Sequence, residues 1–73
     1  MNIDDVKKLN IPKRPGCYFY KDEKGETIYI GKAADLRSRV YSYWRESANH
    51  TPAKAELMRR VRSVAWEETD SEI

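Results

Sequence analysis

The stretch PGCYFYKDEKGETIYIGKA, residues 15–33, decides how the rest of the chain is read. From Gly16 to Lys21 it alternates, with Cys17 and Phe19 on one face and Tyr18 and Tyr20 on the other, the period of two that marks a strand. Asp22 to Glu26, containing Gly25, supplies a turn. Thr27 to Ile30 then resumes the alternation, with Ile28 and Ile30 opposite Thr27 and Tyr29. Two such runs around a short turn form most simply an antiparallel hairpin, and pairing brings Tyr18 near Tyr29 if the two share a face.

After Gly31 the period becomes helical. Leu36, Val40, Tyr43 and Trp44 fall at i, i+4, i+7 and i+8, which predicts a helix over about Ala34 to Arg45 with Asp35 in its first turn. Arg39 lies on the border of that apolar stripe, so it sits at the rim of the buried face. Glu46 to His50 reads as a loop, and Thr51-Pro52 gives an N-cap followed by proline at the first helical position. The helix that follows runs to about Arg62, with Ala53, Leu57, Met58 and Val61 as its stripe. Ser63 to Thr69 puts Val64, Trp66 and Glu68 on one face and predicts a third strand, after which Asp70-Ser71-Glu72 resembles a helix start. Asp4 to Leu9 suits a short helix that stops at Asn10, ahead of Pro12 and Pro15. The expected fold is therefore α+β: one domain over residues 1–73, a small three-stranded antiparallel sheet flanked by helices.

Composition bounds the function. Among 73 residues, Leu, Ile, Val and Phe number only thirteen, and five Tyr with two Trp make up the apolar deficit, since each large ring buries ~150 to 250 Å². No run approaches the ~18 apolar residues of a membrane span, and the polar start, Met1 to Leu9, is not a signal peptide, so the chain reads as soluble and cytoplasmic. A lone cysteine, Cys17, and a lone histidine, His50, exclude internal disulfides and zinc scaffolds. The net charge of +2 hides an asymmetry. Lys32 to Arg62 holds eight basic residues against three acidic ones, whereas Ser63 to Ile73 holds four acidic residues and no base, so the middle of the chain suits a polyanion.

The tripeptides Gly16-Cys17-Tyr18 and Tyr29-Ile30-Gly31, followed by Lys32 and a helix bearing Arg39, resemble the two signatures of the GIY-YIG nuclease superfamily. The longer series, through Leu36-Arg37-Ser38-Arg39-Val40 and Ser42-Tyr43-Trp44, looks like the N-terminal domain of the UvrC family of bacterial nucleotide excision repair, over essentially the whole chain. The resemblance implies metal-dependent hydrolysis of a DNA phosphodiester on the 3′ side of a lesion, with a UvrB-like helicase as partner. It also implies site roles: Tyr29 as general base, Tyr18 orienting or stabilising, Arg39 and Lys32 as the fixed positive charge, and Tyr43 as a further phosphate or water contact. Lys32, Arg37 and Arg39 are the expected nucleic-acid contacts.

The family's Mg²⁺ or Mn²⁺ is held by a glutamate on the helix after the third strand. That ligand is expected beyond Ile73, so the third helix is expected to be missing and the 73 residues to cut weakly or not at all. Glu72 is a poor substitute, because two turns of helix displace a carboxylate by ~10 Å. Plainer readings stand beside these. Tyrosines in strands are by default packing, as Tyr20 is read here, and arginines on helix faces by default solvate them. A catalytically inactive nucleic-acid-binding module of the same fold is the alternative, with a plain interaction domain behind it.

Overall fold

Asp22 closes the hairpin by standing in for backbone: its Oδ1 accepts from the N–H of Lys24 at 2.9 Å and of Glu26 at 3.0 Å. Gly25 takes the left-handed φ of 79° that this turn requires. In the computed structural model, which describes residues 1–45 and 50–70, the chain runs α1 (Ile3–Lys7), β1 (Gly16–Lys21), β2 (Thr27–Ala33), α2 (Leu36–Arg45), α3 (Pro52–Arg60) and β3 (Ser63–Glu68). The expected α+β fold is borne out. β1 is the central strand of an antiparallel sheet in the order β2-β1-β3. The expected loop at Glu46–His50 lies, apart from His50, outside the described residues, as does most of the helix start expected at Asp70-Ser71-Glu72.

Several boundaries differ from the sequence reading, each for a local reason. β2 continues past Ile30 to Ala33, because Gly31 pairs with Tyr18, Lys32 with Cys17 and Ala33 with Gly16. α2 begins at Leu36 rather than Ala34. Asp35 is its cap instead of a first-turn residue, since its Oδ1 accepts from the Ser38 N–H at 3.0 Å. The first N–H groups of α2 are taken by the preceding segment, Leu36 N–H by Arg14 C=O and Arg37 N–H by Pro12 C=O. α3 stops at Arg60, two residues early, because Val61 turns extended to bury its side chain and Arg62 donates its N–H to Lys21 C=O. α1 starts at Ile3, one residue ahead of expectation, on an Asn2–Asp5 capping box, and Asn10 ends that segment with φ 56°.

The core lies between the sheet and α2: Val6, Ile11, Tyr18, Tyr20, Leu36, Val40, Tyr43, Val61 and Val64 are buried. Trp44, Leu57 and Met58 pack half-buried around it, while Ala53, expected on the α3 stripe, is exposed. α3 buries no residue fully and lies on the core as a cover. No helix among the described residues is long and apolar enough to cross a membrane.

Two glycines fix the sheet face on which the tyrosines stand. A Cβ on Gly16 would lie 2.2 Å from the Glu67 carbonyl oxygen, and one on Gly31 would lie 2.2 Å from Cζ of Tyr18, whose ring crosses over that residue. Tyr18 cannot swing aside cheaply, because it is buried. Gly31→Ala is therefore expected to destabilise the fold by ~1 to 3 kcal/mol, the usual cost of overpacking a filled core. An unchanged midpoint in urea denaturation would show that the Tyr18 ring is not held there.

Candidate active site

Register puts the tyrosines together. Tyr20 pairs with Tyr29 and Tyr18 with Gly31, so Tyr18, Tyr20 and Tyr29 project from one face of β1 and β2, toward α2. Tyr43, one turn beyond Arg39 on α2, meets them: ring centroids lie 6.0 Å from Tyr18, 5.2 Å from Tyr20 and 6.3 Å from Tyr29. Tyr18 and Tyr29 are 6.2 Å apart. The hydroxyls of Tyr18 and Tyr43 share a hydrogen bond of 3.1 Å. Such tilted and edge-on ring pairs each add ~0.5 to 1.5 kcal/mol beyond the area they bury.

Exposure grades the cluster. Tyr20 is fully buried and Tyr18 nearly so, whereas Tyr29 is 38% exposed and opens the cluster to solvent. Burial raises the phenol pKa of Tyr18, with the nearby Tyr29 adding to the rise, while the bond to Tyr43 and the positive charge of Arg39 oppose it. Tyr43 is raised by burial and then by its bond to Tyr18. Tyr20 is raised by burial and then by Tyr18 and Tyr43, and its hydroxyl has no hydrogen-bond partner among the described residues. At neutral pH these three are phenols.

Arg39 is exposed on α2, and its charge reaches both Tyr18 and Tyr20. It belongs with the cluster, as the rim position predicts. Arg37 instead ties the fold, donating from Nε to the Ile11 carbonyl at 2.7 Å. Lys32 is exposed and pairs with Cys17, so it leaves the edge strand on the opposite sheet face, with Phe19 and Ile30, and the structure does not bring it into the ring cluster. Two residues were missed or set aside. The Lys54 ammonium lies 4.7 Å from the Tyr43 ring centroid, and the His50 ring lies 6.3 Å from it. The Thr51-Pro52 cap places Lys54 in the first turn of α3, but no signal in the sequence shows that it meets Tyr43. A groove of ~390 Å³ runs beside the cluster, lined by Tyr29, Tyr43, Thr51, Ala53, Lys54 and Leu57.

Metal-ligand chemistry is not met by this groove. Among the described residues no group of three or more His, Cys, Asp or Glu side chains is placed to hold a metal ion. What the cluster can do is hold an anion: an arginine, two protonated phenols and one accessible phenol offer donors and positive charge on one face.

Comparison with known proteins follows the same lines. A family model for the UvrC-like GIY-YIG domain matches residues 14–73. The chain is 42% identical over 73 residues to the UvrABC system protein C of Methanococcus maripaludis, covering 100% of this chain and 13% of that protein. To the protein of the same name from Synechocystis it is 47% identical over 62 residues, covering 85% and 10%. The chain thus spans only about a tenth of the length of these relatives. In structure it is similar to the GIY-YIG N-terminal endonuclease domain of UvrC from Thermotoga maritima bound to its catalytic divalent cation, magnesium. The TM-score is 0.74 at 27% identity, over 94% of this chain and 75% of that one. The chain belongs to the UvrC-like GIY-YIG domain family.

The graded burial has two testable consequences. Tyr20→Phe removes a buried hydroxyl that has no partner among the described residues and is expected to raise stability by up to ~1 kcal/mol, whereas Tyr18→Phe removes the 3.1 Å partner of the Tyr43 hydroxyl and is expected to cost ~1 kcal/mol. Equal destabilisation by both variants in urea melts would contradict the arrangement. Because the phenols of Tyr18, Tyr20 and Tyr43 hold their protons more tightly folded than unfolded, their contribution is complete below the unfolded value near ~10 and is lost as pH rises above it. Stability should fall by up to ~1.4 kcal/mol per pH unit for each group, and tyrosinate absorbance from the more strongly shifted Tyr20 and Tyr43 should appear only with unfolding. Tyrosinate from all three in the folded chain would count against it.

Proposed function

We propose that this member of the UvrC-like GIY-YIG family is the endonuclease domain of an excision-repair protein, hydrolysing a DNA phosphodiester on the 3′ side of a lesion. The observation that supports this most is the convergence of Tyr18, Tyr29 and Tyr43 with the charge of Arg39 on one sheet face. Arg39 grips the phosphate as a planar fork and opposes the charge that grows on its oxygens. Tyr18 and Tyr43, phenols at neutral pH, act as donors and hold each other in place through their shared bond. Neither suits the role of base, so that role falls to Tyr29, the ring of the cluster that water reaches. Lys32 contributes charge from the edge strand, and Arg37 contributes what remains of its guanidinium beyond the bond to Ile11.

A divalent cation, when bound, supplies Lewis-acid stabilisation of phosphate oxygens and a more acidic water. We place its carboxylate ligand outside the described residues, on the polypeptide beyond Ile73, in keeping with the lack of an acidic cluster among those described. DNA is the proposed substrate, a UvrB-like helicase the proposed partner, and the cytoplasm the proposed location. The same lack favours a second reading: a nucleic-acid-binding module of this fold that does not cut.

With damaged duplex DNA and Mg²⁺ or Mn²⁺, the 73 residues alone are expected to nick weakly or not at all. A polypeptide that carries this domain with the sequence following it is expected to nick, and Arg39→Ala or Tyr29→Phe should slow that reaction by ~10² to 10³-fold without unfolding the domain. Nicking at the original rate by both variants would sink the nuclease assignment. Salt-sensitive binding with no cleavage by the longer polypeptide in either metal would favour the module.

A further inference from the structure

The groove beside the cluster has a cation that the reading above does not use. Lys54 stands in the first turn of α3, where the Thr51 side chain accepts from its backbone N–H at 3.2 Å and Pro52 sets the start of the helix. Its ammonium sits 4.7 Å from the centre of the Tyr43 ring, close enough for a cation–π contact that restricts a flexible side chain. Among the described residues no carboxylate forms an ion pair with it. The other groove-lining side chains, Tyr29, Tyr43, Thr51, Ala53 and Leu57, are all uncharged. A restrained ammonium with no counter-ion among the described residues, beside two phenols, is complementary to an anion that enters the groove from solvent.

We propose that Lys54 is a second phosphate contact of this site, engaging the nucleic-acid strand from α3 while Arg39 engages it from α2. The inference rests on the nuclease reading and deepens it. A polynucleotide presents phosphates in series, so a strand lying across Tyr29 meets one cation on each helix. The two contacts differ in kind: Arg39 is a planar fork suited to the reacting phosphate, and Lys54 is a point charge suited to fixing the strand's position.

The test is the salt dependence of DNA binding by the 73-residue chain, measured by fluorescence anisotropy without added metal so that cleavage plays no part. Removing one phosphate contact lowers the slope of log K against log salt by ~0.7 for single strands and ~0.9 for duplex. Lys54→Ala should show that loss, Lys54→Arg should keep the original slope, and Lys24→Ala, in the acidic hairpin turn, should keep it too. Lys54→Met retains the aliphatic stem over Tyr43 and removes only the charge, so its slope decides the question if the alanine variant fails to fold. An original slope in Lys54→Met, or a loss in Lys54→Arg equal to that in Lys54→Ala, overturns the contact while leaving the nuclease reading in place. No salt-sensitive binding by the unsubstituted chain overturns both.

Discussion

The ring of Tyr18 lying across Gly31 is the contact on which the arrangement of the site depends. Any side chain at position 31 would begin 2.2 Å from that ring. With hydrogen there instead, the ring lies flat across the neighbouring strand and its hydroxyl reaches Tyr43 on α2 at 3.1 Å. One missing Cβ therefore couples hairpin register to helix position. It also explains why a glycine follows Tyr29-Ile30 where a strand would ordinarily favour a β-branched residue. Gly16 does the same on the other flank, letting the β3 backbone at Glu67 approach the central strand.

Around that contact the tyrosines divide by depth. Tyr20, touching Tyr18, Tyr43 and Trp44 through its ring at 5.2 to 5.5 Å, is the filler, held by packing, since its buried hydroxyl has no partner among the described residues. Tyr18 and Tyr43 form the intermediate layer, paired to each other. Tyr29 is the surface layer. A chain this short, with thirteen Leu, Ile, Val and Phe, has to build its core partly from the same rings that form the candidate site. That economy accounts for a polar, titratable cluster in direct contact with the main core.

Much of this was legible in the sequence, and the reasons are local. The hairpin could be read because alternation and the Asp22–Glu26 turn are short-range signals, and the shared face of Tyr18 and Tyr29 followed once the turn was placed. Arg39 was legible from its border position on a helical stripe. The extent of β2 was not, because Gly31 and Lys32 look like strand ends and are kept in the ladder only by their partners Tyr18 and Cys17. Lys32 looked like a site residue by adjacency to Gly31, yet alternation carries a neighbour to the opposite face. Arg37 was expected as a nucleic-acid contact, and its bond to Ile11 was not legible because it depends on how the N-terminal segment folds back across α2. Lys54 was missed for the converse reason: its meeting with Tyr43 joins two helices, and no local period encodes such a contact.

Electrostatics then decides how the cluster would respond to an anion beside it. A negative charge near Tyr18 and Tyr43 would disfavour their ionised forms further. Both phenols are already pushed upward by burial, so such an anion would act in the same direction. Arg39 acts in the opposite sense, lowering Tyr18 by a smaller amount than burial raises it. The net effect is three phenols that hold their protons at neutral pH beside one phenol that solvent reaches. Depth in the core suppresses ionisation, and the charge of Arg39 opposes that suppression at Tyr18 and Tyr20. The burial that builds the core is therefore also what keeps these three phenols protonated.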